Sequence, residues 1–281
     1  MVTAKDIVSA LCELGICEGD TILVHSSLKS FGKVERGADD VIDALLTAVG
    51  VSGTVVMPTF VMKEFADAYK TWHMDKPSDT GYITEVFRKR GEAKRSNQAT
   101  HSVAAIGAKA DFLTKTHGQS GLRRGTYGDT PFAADSPWQK MYDMNVKVIM
   151  MGVQYESYTF RHLCEYTLVE KALRIADDCG KYEEFAKNIQ TFEMRYTGGQ
   201  DQFWPYLNYR KCEQEIVQNG FDTSVMCGDA TLHCSRAKDV CDFMMTAAWN
   251  RPEEWFDAAP AKWYLQIQEM GGNMETVTDA R

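Results

Sequence analysis

Apolar positions along this chain repeat with two periods, and each period predicts elements. Near the start, Ile7, Val8, Leu11 and Leu14 fall near one face of a helical repeat, with Lys5, Asp6 and Glu13 elsewhere. MVTAKDIVSALCELG therefore reads as an amphipathic helix and not as a targeting sequence. Gly19 and Asp20 signal a turn, and TILVH at 21–25 is a β-branched run of strand length. A polar loop follows, then a regular apolar pattern from Val41 to Val49 that predicts a helix. TVVMPTF at 54–60 is a second buried strand, stopped at Pro58 because proline cannot donate to a ladder.

The alternation continues downstream. Val61 to Asp79 lacks clean periodicity and reads as a long functional loop or a short helical excursion. A helix is predicted from about Thr80 to Arg90, and a small-residue strand, SVAAIG, closes at Gly107. SPWQKMYDM predicts a helix capped by Ser136 with Pro137 in its first turn. VKVIMMGV at 146–153 is the most apolar strand, and a helix from about Tyr158 to Ala172 follows it closely. Beyond residue 180 the pattern weakens into a charged stretch, the aromatic run FWPYLNY at 203–209 and a last helix rich in Met, Phe and Trp. Strands alternating with helices predict a parallel α/β architecture, and no linker divides the 281 residues, so one domain over 1–281 is expected.

Composition narrows the function classes. A formal charge of −8 disfavours nucleic acid or an anionic membrane as partner and favours a cationic small molecule. No stretch approaches the roughly 20 apolar residues that a membrane span needs. Eight scattered cysteines are expected as free thiols in a reducing, cytoplasmic setting.

Two loops carry candidate chemistry, because polar residues at strand ends face a common crevice in such sheets. The first is His25-Ser26-Ser27-Leu28, whose hydroxyls and N–H groups can cradle a pyrophosphate; a plain turn with capping serines explains the same residues. The second, Ser157 to Glu165, follows the apolar strand at 146–153. His162 and Glu165 lie three apart on a predicted helix and share a face, with Thr159 one turn earlier. A carboxylate beside an imidazole fixes its tautomer and stabilises its protonated form, which a general base requires. A surface His–Glu pair is the bland alternative, and position at the end of the most buried strand favours function.

These residues also carry a family resemblance. The run VHSSLKSFGKVERGADDVIDALLTAVGVSGTVVMPTF, then RSNQATHSVAAIG, then SPWQKMYDMNVKVIMMGV, then TFRHLCEY resembles, in order, the aminoglycoside 3-N-acetyltransferase family, the last run matching its TxxHxAE motif. The resemblance implies a fold unlike the common GNAT fold: a layered α/β/α sandwich around a central mixed, largely parallel sheet. It implies direct acetyl transfer from acetyl-CoA to an amine, without a covalent enzyme intermediate. His162 falls on the family's catalytic histidine and Glu165 on the motif's carboxylate. Glu64 falls near an acidic residue that in some members pairs with the site, and is carried as catalytic or substrate-binding; Asp201 is carried as a contact to substrate ammonium groups. For the CoA, the resemblance implies contacts from His25, Ser26, Ser27 and Leu28 to the pyrophosphate and pantetheine, with Arg95, Ser96, Ser102 and Val103 on the opposite wall. The chain departs from the family pattern at Gln98 and Ala99, where many members have His-Pro, and at Arg36, where a glycine is common. His101 is held as a site-wall residue.

Other clusters have simpler readings. Cys227, His233, Cys234 and Cys241 have zinc-type donors without paired spacing, so no metal is expected. His73 and His117 lie in polar loops and read as solvated. Trp204, Tyr206 and Tyr209 read as core ahead of pocket wall, and Trp249, Trp255 and Trp263 would suit a subunit contact in a homodimer. Acetylation of a non-antibiotic amine, CoA binding without turnover and a zinc hydrolase are the alternatives to an aminoglycoside acetyltransferase.

Overall fold

Side chains alternate across a strand, so a strand that is apolar on both sides needs cover on both sides. On β1 (Thr21–Ser26), Ile22 and Val24 join one core cluster and Leu23 the other; on β5 (Lys147–Met151), Ile149 and Met151 join the first, Val148 and Met150 the second. The computed structural model describes residues 1–61, 68–117, 131–190 and 202–271. The remaining strands are β2 (Thr54–Pro58), β3 (Lys94–Arg95), β4 (Val103–Gly107), β6 (Thr223–Cys227) and β7 (Ala230–Arg236). The helices are α1 (Ala4–Glu13), α2 (Ala38–Val49), α3 (Ala68–Thr71), α4 (Tyr82–Arg88), α5 (Ala110–Thr114), α6 (Pro137–Asp143), α7 (Phe160–Asp178), α8 (Tyr182–Ala186), α9 (Tyr209–Gln218), α10 (Ala237–Asn250), α11 (Pro252–Trp255) and α12 (Ala258–Gln268).

Local signals set several boundaries. Thr3 and Asp6 cap α1 reciprocally: Thr3 Oγ1 accepts from the Asp6 N–H, and Asp6 Oδ2 accepts from the Thr3 N–H. Ser136 accepts from the Gln139 N–H, with Pro137 at the first helical position of α6. Ile7 and Leu11 of α1 and Val41 and Leu45 of α2 cover one face of the sheet; Leu168 and Val169 of α7 and Met244 and Met245 of α10 cover the other.

The strands run in the order β3-β4-β2-β1-β5-β7-β6, which corrects the expected largely parallel sheet. Among the described strands, β1–β2 and β1–β5 pair in parallel, whereas β2–β4, β3–β4, β5–β7 and β6–β7 are antiparallel. The sandwich is layered α/β/α as expected, but its sheet is mostly antiparallel. Burial on both faces removes the polar alternation that distinguishes an antiparallel strand from a parallel one. The β6–β7 hairpin, absent from the sequence reading, turns on Gly228 and Asp229, and Gly228 has φ 60. A Cβ on Gly228 would lie 2.4 Å from Val2 Cγ2 and 2.7 Å from the Phe31 carbonyl oxygen, so the turn is packed tightly against the N-terminal segment.

One further expectation is corrected. Trp249, Trp255 and Trp263 are buried inside this chain and offer nothing to a subunit contact. Along β7, His233 and Cys234 face opposite sides of the sheet, while Cys241 lies in the other cluster from Cys227 and Cys234. The four zinc-type donors therefore do not converge. No helix among the described residues is long and apolar enough to cross a membrane.

Candidate active site

The three parallel strands β2, β1 and β5 end at the same edge of the sheet, with Ser26 beside Met151 in register. Loops leaving those ends meet there, and two bonds join them: the Ser27 N–H donates to the Met151 carbonyl (2.9 Å), and Ser30 Oγ donates to the Gly152 carbonyl (2.7 Å). Gly152 has φ 64, and a Cβ there would fall 2.4 Å from Ser30 Cβ, so this contact requires glycine on two counts.

Above the joined ends opens a cleft of about 340 Å³. His25, Ser26 and Pro58 form its floor at the strand ends, and residues 156–159 with Arg161 and His162 form one wall. Thr80 and Thr84 close the opposite side, where Thr80 Oγ1 donates to the Pro58 carbonyl (2.9 Å).

His162 sits in the first turn of α7, and its Nδ1 lies 2.8 Å from Glu165 Oε2. Glu165 is fully buried. It also accepts from the Leu207 N–H (2.9 Å) and Trp204 Nε1 (3.2 Å), and Arg161 Nε lies 3.7 Å from its other oxygen. Every one of these neighbours is a donor, so the carboxylate only accepts. Nδ1 of His162 must then carry the shared proton, which leaves the lone pair on Nε2. His101, Phe132 and Tyr206 surround the imidazole, with ring centroids 5.9, 6.1 and 6.2 Å away. A histidine oriented by a buried carboxylate at a cleft that opens on strand ends can take a proton from a ligand in that cleft.

A model of the aminoglycoside 3-N-acetyltransferases matches residues 23–248. The chain belongs to that family. It is 31% identical over 188 residues to the SPbeta prophage-derived aminoglycoside N(3')-acetyltransferase-like protein YokD of Bacillus subtilis, covering 59% of this chain and 65% of that protein. It is 29% identical to aminoglycoside N(3)-acetyltransferase VII of Streptomyces paromomycinus, covering 58% of this chain and 60% of that one. The match thus spans 60% to 65% of the length of these two curated relatives. A longer match, 25% identical, covers 86% of this chain and 91% of an aminoglycoside N(3)-acetyltransferase III of Pseudomonas aeruginosa. In fold the chain is similar to the crystal structure of aminoglycoside acetyltransferase AAC(3)-IVa as apoenzyme (TM-score 0.67, 18% identity, 95% of this chain and 98% of that chain). It is also similar to AAC-IIIb in its binary structure with CoASH (TM-score 0.65, 18% identity, 91% and 98%).

Within this family frame, the residues singled out by sequence separate into groups. His162, His25 and Ser26 share the cleft. Ser27 serves the strand-end bond to Met151, and Leu28 packs partly buried against the core. Arg95, Ser96, Ser102 and Val103 lie at the β3–β4 edge of the sheet, among other partners. The Arg95 guanidinium, half-buried and over the Trp72 ring, donates to the carbonyls of Thr59, Met74 and Lys76, and burial pushes its pKa down to about 10. Ser96 is fully buried; its hydroxyl accepts from the Val103 N–H and donates to His117 Nδ1. Ser102 donates to the Thr59 carbonyl, and Val103 is core. Glu64 and Asp201 lie outside the described residues.

Two histidines differ from expectation or extend it. His117 is buried, not solvated: Nε2 donates to the Pro131 carbonyl (2.8 Å) and Nδ1 accepts from Ser96. Burial pushes its pKa down to about 4. His101 lies against His162, and Gln98 explains how the loop manages without His-Pro: its Oε1 accepts from the N–H groups of Thr100 and His101, folding the segment locally. Sequence reasoning missed Thr80, Thr84 and Glu156 as cleft residues, whereas Arg161 lay within the second candidate segment at 157–165.

Proposed function

We propose that this protein transfers an acetyl group from acetyl-CoA to an amine, with the 3-amino group of an aminoglycoside as the first acceptor to examine. The observation that carries the reading is the His162–Glu165 pair at 2.8 Å on the wall of the strand-end cleft. Family membership supports the reaction class, and the geometry supports His162 as the base. The cleft also suits the cosubstrate: its volume is in the range of ligand sites, and its floor holds buried polar atoms of His25 and Ser26 with no partner among the described residues.

Acetyl-CoA would supply an electrophilic acetyl thioester, held at the floor by His25 and Ser26. His162 Nε2 then takes the proton shed by the acceptor nitrogen as the C–N bond forms, and returns it to the sulfur as the C–S bond breaks. Glu165 stabilises the imidazolium between those two transfers, because the charge forms 2.8 Å from a buried carboxylate. The same reading takes Glu64 and Asp201 as contacts to the acceptor's ammonium groups. It places the protein in a reducing, cytoplasmic setting, in keeping with eight free thiols. It leaves a homodimer to be decided by light scattering.

The direct test is mass spectrometry of kanamycin and gentamicin incubated with the protein and acetyl-CoA. A gain of one acetyl group that requires acetyl-CoA is expected. No turnover across a broad aminoglycoside panel, with acetyl transfer to another amine, would move the acceptor to a metabolite and keep the mechanism. CoA binding with no acetyl transfer to any amine would remove the enzyme reading.

A further inference from the structure

A second carboxylate, outside the cleft, is bonded much as Glu165 is. Asp222, just ahead of β6, accepts from the Tyr155 hydroxyl at Oδ1 (2.8 Å) and from His233 Nδ1 at Oδ2 (2.7 Å), and its side chain is 7% exposed, so water competes weakly for either bond. Tyr155 is buried, and its ring meets those of Tyr158 and His233 at centroid distances of 5.6 and 6.0 Å. His233 comes from the middle of β7 and points toward the α7 and α10 side of the sheet, since its neighbours Leu232 and Cys234 belong to the opposite core cluster. Burial, with Asp222 adding to it, raises the Tyr155 pKa far above neutrality, so the hydroxyl keeps its proton and stays the donor.

What Tyr155 belongs to gives this cluster its interest. It opens a short 3-10 turn, Tyr155–Ser157, between β5 and α7, and residues 156–159 line the cleft. Two backbone bonds of 3.0 Å shape the turn, from the Ser157 N–H to the Gln154 carbonyl and from the Tyr158 N–H to the Tyr155 carbonyl. So short a run does not hold its place by backbone bonds alone. A buried carboxylate with polar partners is also a demanding way to fill a core, because apolar side chains of similar volume serve stability as well. His162 has support of its own, since Glu165 joins it to Trp204 and the Leu207 N–H. Asp222 therefore bears on the cleft wall ahead of the base and not on the base itself.

Resting on the acetyl-transfer reading above, we propose that Asp222 is a positioning residue: through the Tyr155 hydroxyl it fixes the cleft wall at residues 156–159, and so sets how tightly the cleft holds its ligands without touching them. His233 occupies the second oxygen and keeps the carboxylate turned toward Tyr155. The β6–β7 hairpin thereby acts on a site to which it contributes no lining residue among those described.

The test is steady-state kinetics with acetyl-CoA, together with Tm, for wild type, Tyr155→Phe, Asp222→Ala, Asp222→Asn and the combination of Tyr155→Phe with Asp222→Ala. Tyr155→Phe removes one hydroxyl and keeps the ring, so it spares the packing. Tyr155→Phe and Asp222→Ala each raise the KM for acetyl-CoA about three- to tenfold, the worth of one hydrogen bond, and change kcat by less than about twofold. The combined variant does no worse than Asp222→Ala, because both changes break the same link. Asp222→Asn recovers most of the affinity: its amide oxygen still accepts from Tyr155, and its NH2 donates to His233 in the other tautomer. A merely structural role lowers Tm and leaves KM where it was. Unchanged KM in folded Tyr155→Phe, losses that multiply in the combined variant, Asp222→Asn as impaired as Asp222→Ala, or a fall in kcat without a rise in KM each overturns the assignment, while turnover by the wild type upholds the wider reading. A wild type that acetylates no amine overturns both.

Discussion

His162 owes its character to the company Glu165 keeps. A carboxylate with four donors around it cannot offer a hydrogen, so it fixes the imidazole tautomer as well as its rotamer. Replacing His162 by Ala is expected to lower kcat by roughly 10² to 10⁴ with little change in CoA affinity, measured by steady-state kinetics and calorimetry. Unaltered kcat would remove His162 from the chemistry. Glu165 has a second duty. Glu165→Ala removes an acceptor from Trp204 Nε1 and the Leu207 N–H and an ion-pair partner from Arg161, and a loss of roughly 3 to 5 kcal/mol in urea unfolding is expected. Retained stability together with lost activity would show that the carboxylate serves the imidazole alone. The i to i+3 spacing of the pair was legible in sequence because a helix places such neighbours together. That Glu165 is also bonded to residues 204 and 207 was not, since that contact crosses about forty positions.

Elements matter here chiefly through where they end. Helix α7 presents His162 in its first turn because the chain turns sharply after β5, and Gly152 makes that turn possible. Gly152→Ala introduces a Cβ at φ 64 and 2.4 Å from Ser30 Cβ. It is expected to cost roughly 1 to 3 kcal/mol in denaturant unfolding and to lower turnover, because the β1 and β5 loops are displaced together. If the variant unfolds like wild type, the contact with Ser30 relaxes freely and does not fix the cleft. The β6–β7 hairpin teaches the complementary lesson. Its Gly228-Asp229 turn between two short segments is a hairpin signal present in the sequence, obscured by the charged and aromatic stretches before it.

At the scale of the whole molecule, buried histidines make stability depend on pH. Burial holds His25 and His117 near pKa about 4 in the folded protein, against about 6.5 in an unfolded chain. Above pH about 6.5 neither state binds the protons. As pH falls toward about 4 the unfolded chain takes up two that the folded chain refuses, so stability declines by about 3 kcal/mol per histidine. His233 works in the opposite sense. Its hydrogen bond to Asp222 raises its pKa, giving stability that is present at low pH and lost as pH rises through the folded value. Urea unfolding at about pH 7.5 and about pH 4.5 should show the net decline, and His117→Gln should remove part of it. Equal stability at the two pH values would mean that these imidazoles are protonated within the fold.

The sequence by itself determined the central elements, the pairing of His162 with Glu165 and the order of motifs that gives the family, because each depends on neighbours a few residues apart. Tertiary structure alone decided strand direction, the burial of His117, and the engagement of Arg95, Ser96 and Ser102 within the protein's own bonds. Those outcomes depend on which distant segments meet, as Ser30 and Gly152 do across 122 positions, and local periodicity carries no record of such meetings.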